Sequence, residues 1–339
     1  MSNLFEPGEI LFCEGMPSEE LVRGMLYLSL TVVGIPGNLA VILAFLLVLY
    51  HDNRLLAADA IVLHLACVNL NVVAVRCLLE TLASFHLADI FSDAGCKGVI
   101  FIYRTSRSLS IWLTFILSAY QCLSVASPGS CWATVRTLVG RYLGLVFFVL
   151  WLINTCMSSA AVLFSTGARN TSASARYGIN VQFCFVNFPS KHSKQVNGAF
   201  QVGRDVVPMA LMTLSSLVIL LFLYKHGQQV KGIRSSCGSE RRAAKAVVTL
   251  VTLYVVFYGV DNGLWVYTLT LRKTMRSSLV SDLRIFFSSL YAALSPLIII
   301  AYNRKVNARL GCGVSVKVVK ETAITMSTVS VTAVESKSM

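Results

Sequence analysis

The sequence predicts an all-α membrane protein, a bundle of seven membrane-spanning helices with its N-terminus outside the cell. Of the 339 residues, 55% are hydrophobic and only 13% are charged, and the mean hydropathy is +0.69. Soluble domains carry about 25% charged residues, so a water-soluble chain of this composition would expose large apolar areas. Apolar runs such as 41–49 are continuous and do not alternate with polar residues. They therefore predict helices and exclude a transmembrane barrel.

Seven segments are long and apolar enough to cross the hydrocarbon core, which requires roughly 20 residues of helix. They lie at 25–50, 56–82, 97–126, 139–164, 197–224, 244–270 and 280–302. The second, third and sixth are amphipathic, as expected for helices that face a polar interior. The chain thus divides into an extracellular N-terminus (1–24), the seven-helix bundle (25–302) and a cytoplasmic tail (303–339).

Charge alone decides the orientation only weakly. Residues 1–24 contain five acids and one base, the opposite of the basic start of a cleavable signal peptide. With this leader outside, the inner connections carry twelve Lys and Arg residues and the outer connections carry ten. The positive-inside rule therefore favours this topology by a small margin.

The connection between the fourth and fifth spans supplies a second criterion. Asn170 begins an Asn-Thr-Ser sequon for glycosylation, and Cys184 lies in the same connection. Cys96 lies just before the third span, so both cysteines fall on the oxidising outer side when the N-terminus is outside. A Cys96–Cys184 disulfide would hold the connection over the third span, and two unpaired thiols are the alternative. The sequon and the cysteines together favour the N-out orientation.

Ionisable residues inside the predicted spans are costly in lipid and indicate function by default. The second span carries Arg76 and Glu80, the third Arg104 and Arg107, the fifth Arg204 and Asp205, and the sixth Asp261. Four of these side chains are positive and three are negative. At least one arginine is therefore short of a carboxylate partner.

The third span indicates where that surplus charge lies. Steps of three and four residues connect Cys96, Ile100, Arg104, Arg107, Ile111, Thr114, Ser118 and Gln121, so they form one stripe. At ~1.5 Å per residue, Arg107 lies roughly 16 Å below Cys96, and the stripe must face the bundle interior. Because Arg offers paired donors to carboxylates and sulfates, Arg104 and Arg107 predict a docking point for a small organic anion. Structural ion pairs with the acidic residues of neighbouring spans are the alternative.

Other residues of the spans are further candidates for ligand contact. They are Glu80, Arg204, Asp205, Asp261 and, among the aromatic residues of the sixth span, Tyr258. Most aromatic residues there are expected to pack in the core.

Several short motifs occur in the order found in one receptor superfamily. They are Gly37-Asn38, the segment 65–69 with Asn69 at its end, Trp151, Pro208 and Ser295-Pro296. Over 25–305 this order resembles rhodopsin-like G-protein-coupled receptors, with Asn69 in place of their sodium-binding Asp and Ser295-Pro296 in place of Asn-Pro.

The departures from that pattern are equally specific. Gln121 stands at the centre of Tyr-Gln-Cys where the superfamily has Asp-Arg-Tyr, and the sixth span lacks Cys-Trp-x-Pro. With the segments 104–111, 117–121 and 257–261, they resemble vomeronasal type 1 receptors and their fish olfactory class A relatives. The resemblance implies detection of a pheromone or odorant at the plasma membrane and activation of a heterotrimeric G protein.

The cytoplasmic side offers candidate partner contacts. By position, Gln121, Arg241 and Arg242 are expected to contact the G protein. The basic segment 225–245 is also expected to attract anionic lipid, and Cys312 is a candidate for palmitoylation.

Other functional classes find less support. A bitter-taste receptor also lacks Asp-Arg-Tyr but generally lacks the Cys96–Cys184 pairing. A small-solute transporter would use buried charges for coupling, but the sequence shows no internal repeat. No catalytic motif, phosphate loop or metal-type Cys-x-x-Cys pair is present, so we expect neither an enzyme nor a cofactor or metal. The net charge of +13 is assigned to loops beside lipid head groups rather than to nucleic-acid binding.

Overall fold

The computed structural model describes residues 18–85, 93–125, 131–162, 165–167, 179–181, 184–186, 190–229, 238–270 and 277–310. The first half contains α1 (Ser18–Asp52), α2 (Ala57–Val72), a π-helical segment (Val73–Leu78), α3 (Leu79–Ser84), α4 (Asp93–Val125), α5 (Cys131–Arg141) and α6 (Leu143–Val162). Three short strands follow, β1 (Ser165–Gly167), β2 (Ile179–Val181) and β3 (Cys184–Val186). The remainder contains α7 (Lys191–Gln229), α8 (Gly238–Thr270), α9 (Ser277–Tyr302) and α10 (Arg304–Arg309).

The described helices form a bundle suited to a membrane. Five segments are long and apolar enough to cross one, namely Glu20–Asp52, Ala57–Ser84, Gln195–Phe222, Arg242–Leu264 and Asp282–Tyr302. A sixth results if Thr134–Arg141 and Leu143–Ser159, which meet at 65°, form one bent span. The helical bundle is thus confirmed. Helix α4 is not among these segments, so the seventh span stays a prediction, as does the orientation.

The surface of the bundle is apolar, and its interior combines hydrophobic clusters with buried polar side chains. On α6, the side chains of Leu145, Phe148 and Leu152 are more than half exposed. Asn38 and Asn69 are fully buried in the interior. Water would penalise such a surface, whereas lipid is its natural solvent.

Helix α4 occupies the centre of the bundle and packs against α2, α6, α7 and α8. Its predicted stripe is confirmed to face inward, because Arg107, Thr114 and Ser118 are all buried. The Thr114 hydroxyl lies 2.9 Å from that of Tyr291 on α9, and the Ser118 hydroxyl lies 3.3 Å from that of Ser216 on α7. The stripe therefore connects α4 to its neighbours by hydrogen bonds.

Helices α1 and α9 approach each other closely at Gly37. A Cβ atom there would lie 2.9 Å from Cγ of Pro296, so only glycine fits this contact without displacement. Next to it, the Asn38 amide donates hydrogen bonds to the carbonyls of Gly34, at 2.8 Å, and Ala292, at 3.0 Å. Glycine and asparagine together join the two helices.

A second buried amide joins three helices. Asn69 of α2 donates from Nδ2 to the Ser295 hydroxyl of α9 at 2.9 Å. Its Oδ1 accepts a hydrogen bond from the Ser110 hydroxyl of α4 at 2.6 Å. By the resemblance to rhodopsin-like receptors, the neutral Asn69 amide stands at the position of their sodium-binding Asp.

Two features were not predicted from the sequence. The connection before α7 contains a small antiparallel sheet of order β1-β3-β2, which satisfies backbone groups of a long connection. The predicted fourth span, 139–164, begins inside α5, because the helix axis breaks at Tyr142 and α6 starts at Leu143. Gly140 and Arg141 interrupt the apolar run at this break.

Candidate functional site

A chain of alternating charges crosses the centre of the bundle. It runs Arg204–Asp205–Arg107–Asp261–Arg284, and these residues belong to α7, α4, α8 and α9. The exposed fraction of their side chains is 15% for Arg284 and 5% or less for the others. Four helices are therefore connected by one buried ionic network, which we call the ionic chain.

Each inner member of the ionic chain bridges two partners. Arg107 Nη1 lies 3.0 Å from Oδ2 of Asp205, and its Nη2 donates to Oδ2 of Asp261. The other oxygen of Asp205 accepts a hydrogen bond from Arg204 Nε at 3.2 Å. The other oxygen of Asp261 lies 3.2 Å from Arg284 Nε. Of the two interpretations of Arg107, the structure shows the ion-paired one.

Tyr258 belongs to the wall of this network. Its ring stacks on that of Tyr254, with centroids 4.1 Å apart, and the Arg107 guanidinium lies 4.9 Å from its centroid. This geometry is that of a cation–π contact. Both tyrosine rings are fully buried, so Tyr258 is a packing residue that also contacts Arg107.

Arg76 and Glu80 form a separate buried pair. Arg76 Nη2 lies 2.6 Å from Oε1 of Glu80, as their spacing of four residues predicted. The Arg76 guanidinium also lies 5.5 Å from the ring centroid of Tyr103. This pair lies along a single helical rod, unlike the ionic chain.

A cavity of about 430 Å³ opens between α4, α6 and α7 beside the ionic chain. This volume is within the range of sites for small organic molecules. The lining residues are Arg104, Met157, Ser158, Ser190, His192, Ser193, Val196, Asn197, Phe200, Gln201 and Arg204. Two candidates predicted from sequence, Arg104 and Arg204, thus line one cavity. The other five (Glu80, Arg107, Asp205, Tyr258 and Asp261) are not among the residues that line it.

Among the four arginines that the sequence places inside the spans, Arg104 is the one without a carboxylate partner in the described part of the chain. Its Nη2 donates to Oε1 of Gln201 at 2.6 Å and reaches Oδ1 of Asn197 at 3.5 Å. Both acceptors are neutral amides, and Arg104 forms no salt bridge within the described residues. The charge surplus predicted from sequence is thus located on a cavity wall.

Two more donors of the cavity are unused. Arg204 Nη2 and the Ser158 hydroxyl are buried and have no hydrogen-bond partner in the part of the chain that the structure describes. Buried donors without acceptors are costly, so both are suited to an incoming acceptor. Val196 and Phe200 add apolar surface to the wall.

The remaining predicted residues are placed as follows. Cys96 is fully buried and disulfide-bonded, and the backbone of Cys184 lies in β3, which pairs with β1 through Gly167. Strand β1 packs against α4. Gln121 is partly buried and Arg242 is exposed. Outside the described parts lie Asn170, Cys312 and the side chains of Cys184 and Arg241.

Sequence reasoning missed four polar residues that the site description uses, namely Ser158, Asn197, Gln201 and Arg284. Asn197 and Gln201 lie four residues apart and share a face of α7 with Arg204; the periodicity argument used for α4 would have found them. Arg284 was counted with the outer connections, although it lies within the predicted span 280–302.

The amino-acid sequence matches one known protein family. The model of the Vomeronasal organ pheromone receptor family matches residues 22–310, which include every described helix but the first residues of α1. The chain belongs to this family.

Individual relatives agree with the family. "Olfactory receptor class A-like protein 1" of Danio rerio is 39% identical over 87% of this chain and 93% of its own length. "Vomeronasal type-1 receptor 1" is 25% identical in Gorilla gorilla gorilla, over 90% of this chain and 87% of that protein. The Homo sapiens protein of the same name is 26% identical, over 88% and 85%. Membership makes this vomeronasal-family chain a chemosensory receptor and not an enzyme.

Proposed function

We propose that this receptor binds a small organic anion in the cavity between α4, α6 and α7 and activates a heterotrimeric G protein from the plasma membrane. The observation that carries the ligand class is Arg104, a partly buried arginine on the cavity wall whose hydrogen-bond partners among the described residues are neutral amides. A carboxylate or sulfate supplies the missing countercharge, and Arg204 Nη2 and the Ser158 hydroxyl supply further donors.

The size and lining of the cavity limit the ligand further. A volume of about 430 Å³ suits a compact molecule with a ring or short chain. Val196, Phe200 and Met157 receive its apolar part, while the acidic group lies toward Arg104. The proposed ligand is therefore amphipathic, with one anionic end.

The proposed topology has seven spans and an outer N-terminus. Helix α4 is the remaining span, because it is 33 residues long, or ~50 Å at ~1.5 Å per residue, and packs at the centre of the bundle. We assign the Cys96 disulfide to Cys184, since β3 is joined through β1 to α4. Glycosylation of Asn170 and palmitoylation of Cys312 belong to the same topology.

The proposed inner face receives the G protein. Gln121 lies near the end of α4 and Arg242 near the start of α8, and Arg241 precedes Arg242 in sequence. These helix ends lie at the opposite end of α4 from Cys96. A basic inner rim also suits anionic lipid.

A signalling assay tests the ligand class. Cells that express the chain are exposed to small carboxylic acids, their neutral methyl esters and matched amines. We expect responses to acids and not to esters, and loss of the response in Arg104→Gln. Lys97→Gln is the matched control, because it removes a positive charge from α4 outside the cavity lining. Equal responses to acids and esters, or equal losses in the two variants, would refute the anion site.

A further inference from the structure

The two bonds that Arg107 makes are unequal. Its Nη2 donates a hydrogen bond to Asp261 of α8. Its Nη1 lies 3.0 Å from Oδ2 of Asp205 of α7, yet that oxygen accepts no hydrogen bond within the described residues. Arg107 is thus hydrogen-bonded to α8 and only ion-paired with α7.

The carboxylate on the α7 side is shared with the cavity. Asp205 is fully buried and accepts a hydrogen bond from Arg204 Nε at 3.2 Å. Arg204 lines the cavity and has a terminal nitrogen without a partner in the described chain. An anion that binds the unused Nη2 shares the Arg204 guanidinium with Asp205 and attracts it toward the cavity. The cavity and the ionic chain therefore meet at this residue.

We infer that Arg107 is the conformational switch of the bundle, that it exchanges between Asp261 of α8 and Asp205 of α7, and that Arg204 transmits charge in the cavity to it. This inference rests on the proposed function for the place of the ligand and of the G protein. An anion that draws Arg204 away leaves Asp205 with one guanidinium partner. Arg107 then completes its hydrogen bond to Asp205 and loosens its bond to Asp261.

The release of α8 does not leave a buried carboxylate uncompensated. Arg284 Nε lies 3.2 Å from the second oxygen of Asp261, so Asp261 retains a cation when Arg107 turns away. An uncompensated buried carboxylate would make the second state too costly to populate. With Arg284 present, the two states differ mainly in whether Arg107 of α4 is hydrogen-bonded to α8 or to α7. A ligand needs only a moderate difference in affinity to shift such a balance.

The consequence is movement of α8 relative to α4. Residues Gly238–Lys245 form the N-terminal end of α8. The proposed function assigns this end to contact with the G protein. Loss of the Arg107–Asp261 bond removes the ionic tie between α4 and α8 and permits that end to separate. This tie takes the place of the Asp-Arg-Tyr lock that the sequence lacks.

Two substitutions test the switch without any ligand. Asp261→Asn weakens the bond between α4 and α8. Arg204→Gln frees Asp205 for Arg107, as a bound anion would, and leaves Asp205 paired. Glu80→Gln is the matched control, because Glu80 is equally buried but its partner Arg76 lies four residues away along the same rod.

Two readouts follow the variants, with cell-surface quantity measured for each. One is basal nucleotide exchange on a panel of G proteins, and the other is the emission of an environment-sensitive fluorescent amino acid encoded at position 245. We expect both test variants to raise basal exchange roughly 5-fold or more, the lower end of a typical coupling between sites. The emission should shift in the same direction in both test variants. Glu80→Gln should show the basal exchange and the emission of the unmodified receptor.

The outcomes separate the switch from the ligand proposal. Basal exchange and emission unchanged in Arg204→Gln, or raised equally in Glu80→Gln, would overturn the switch. If Asp261→Asn fails to reach the surface, Arg204→Gln decides alone, because it leaves no unpaired carboxylate. Raised basal activity in a receptor that ignores the panel of acids would support the switch and refute the anionic ligand.

Discussion

Arg104 and Arg107 lie three residues apart on α4, yet neutralising each should affect stability differently. Arg107→Gln leaves Asp205 and Asp261 each with one of their two guanidinium partners. Removal of one member of a buried ion pair costs ~3–5 kcal/mol. Because each carboxylate retains a cation, we expect the lower end, about 3 kcal/mol.

Arg104→Gln involves two opposing terms. The substitution loses the hydrogen bond of 2.6 Å to Gln201, and hydrogen bonds of charged groups contribute ~1.5–3 kcal/mol. It also removes a partly buried charge whose partners among the described residues are neutral amides, and burial of such a charge is unfavourable. We therefore expect a net change of ~1 kcal/mol or less.

Thermal unfolding of the detergent-solubilised receptor distinguishes the two. One kcal/mol corresponds to ~2–4 °C for a domain of about 150–250 residues. The apparent Tm should thus fall by roughly 6 °C or more for Arg107→Gln and by about 4 °C or less for Arg104→Gln. A loss of Tm in Arg104→Gln as large as in Arg107→Gln would refute the placement of Arg107 in the ionic chain and of Arg104 outside it, free to bind the ligand.

Two further predictions concern the scaffold. Gly37→Ala places a Cβ 2.9 Å from Pro296 and should cost ~1–3 kcal/mol as an overpacked contact. Gly259→Ala, where no atom lies within 4 Å, should leave the apparent Tm unchanged or raise it; equal losses would contradict the close approach of α1 and α9. Cys96→Ser and Cys184→Ser should each reduce surface expression, and the double variant should resemble either single one. Cys67→Ser, at a free and exposed thiol, should have no effect, and losses that add in the double variant would rule out the Cys96–Cys184 bond.

The sequence predicted the elements of the bundle because hydropathy and helical period determine them locally. The inward stripe of α4 could be predicted for the same reason, since lipid excludes its polar side chains. These features require only the spacing along one helix.

Pairing between helices could not be predicted from spacing. The surplus of arginines was visible, but its assignment to Arg104 depends on the rotation of α7, which brings Asp205 to Arg107 and only amides to Arg104. Arg284 was placed outside the bundle, although its span begins four residues earlier, at 280. Which arginine pairs with which carboxylate depends on the relative positions of four helices. A single sequence carries no direct signal of those positions.

The π-helical segment Val73–Leu78 has a consequence for comparing this receptor with its relatives. A π ring closes from residue i to i+5 and so holds one residue more than an α ring. One residue turns an α-helix by ~100°. Glu80 and Ser84, beyond the wide turn, are buried. In a relative that lacks this turn, residues at the same number of positions after the equivalent of Asn69 would face another direction. An alignment with such a relative therefore requires a one-residue gap inside 73–78, and an ungapped alignment would assign the buried positions beyond the turn to the wrong face of the helix.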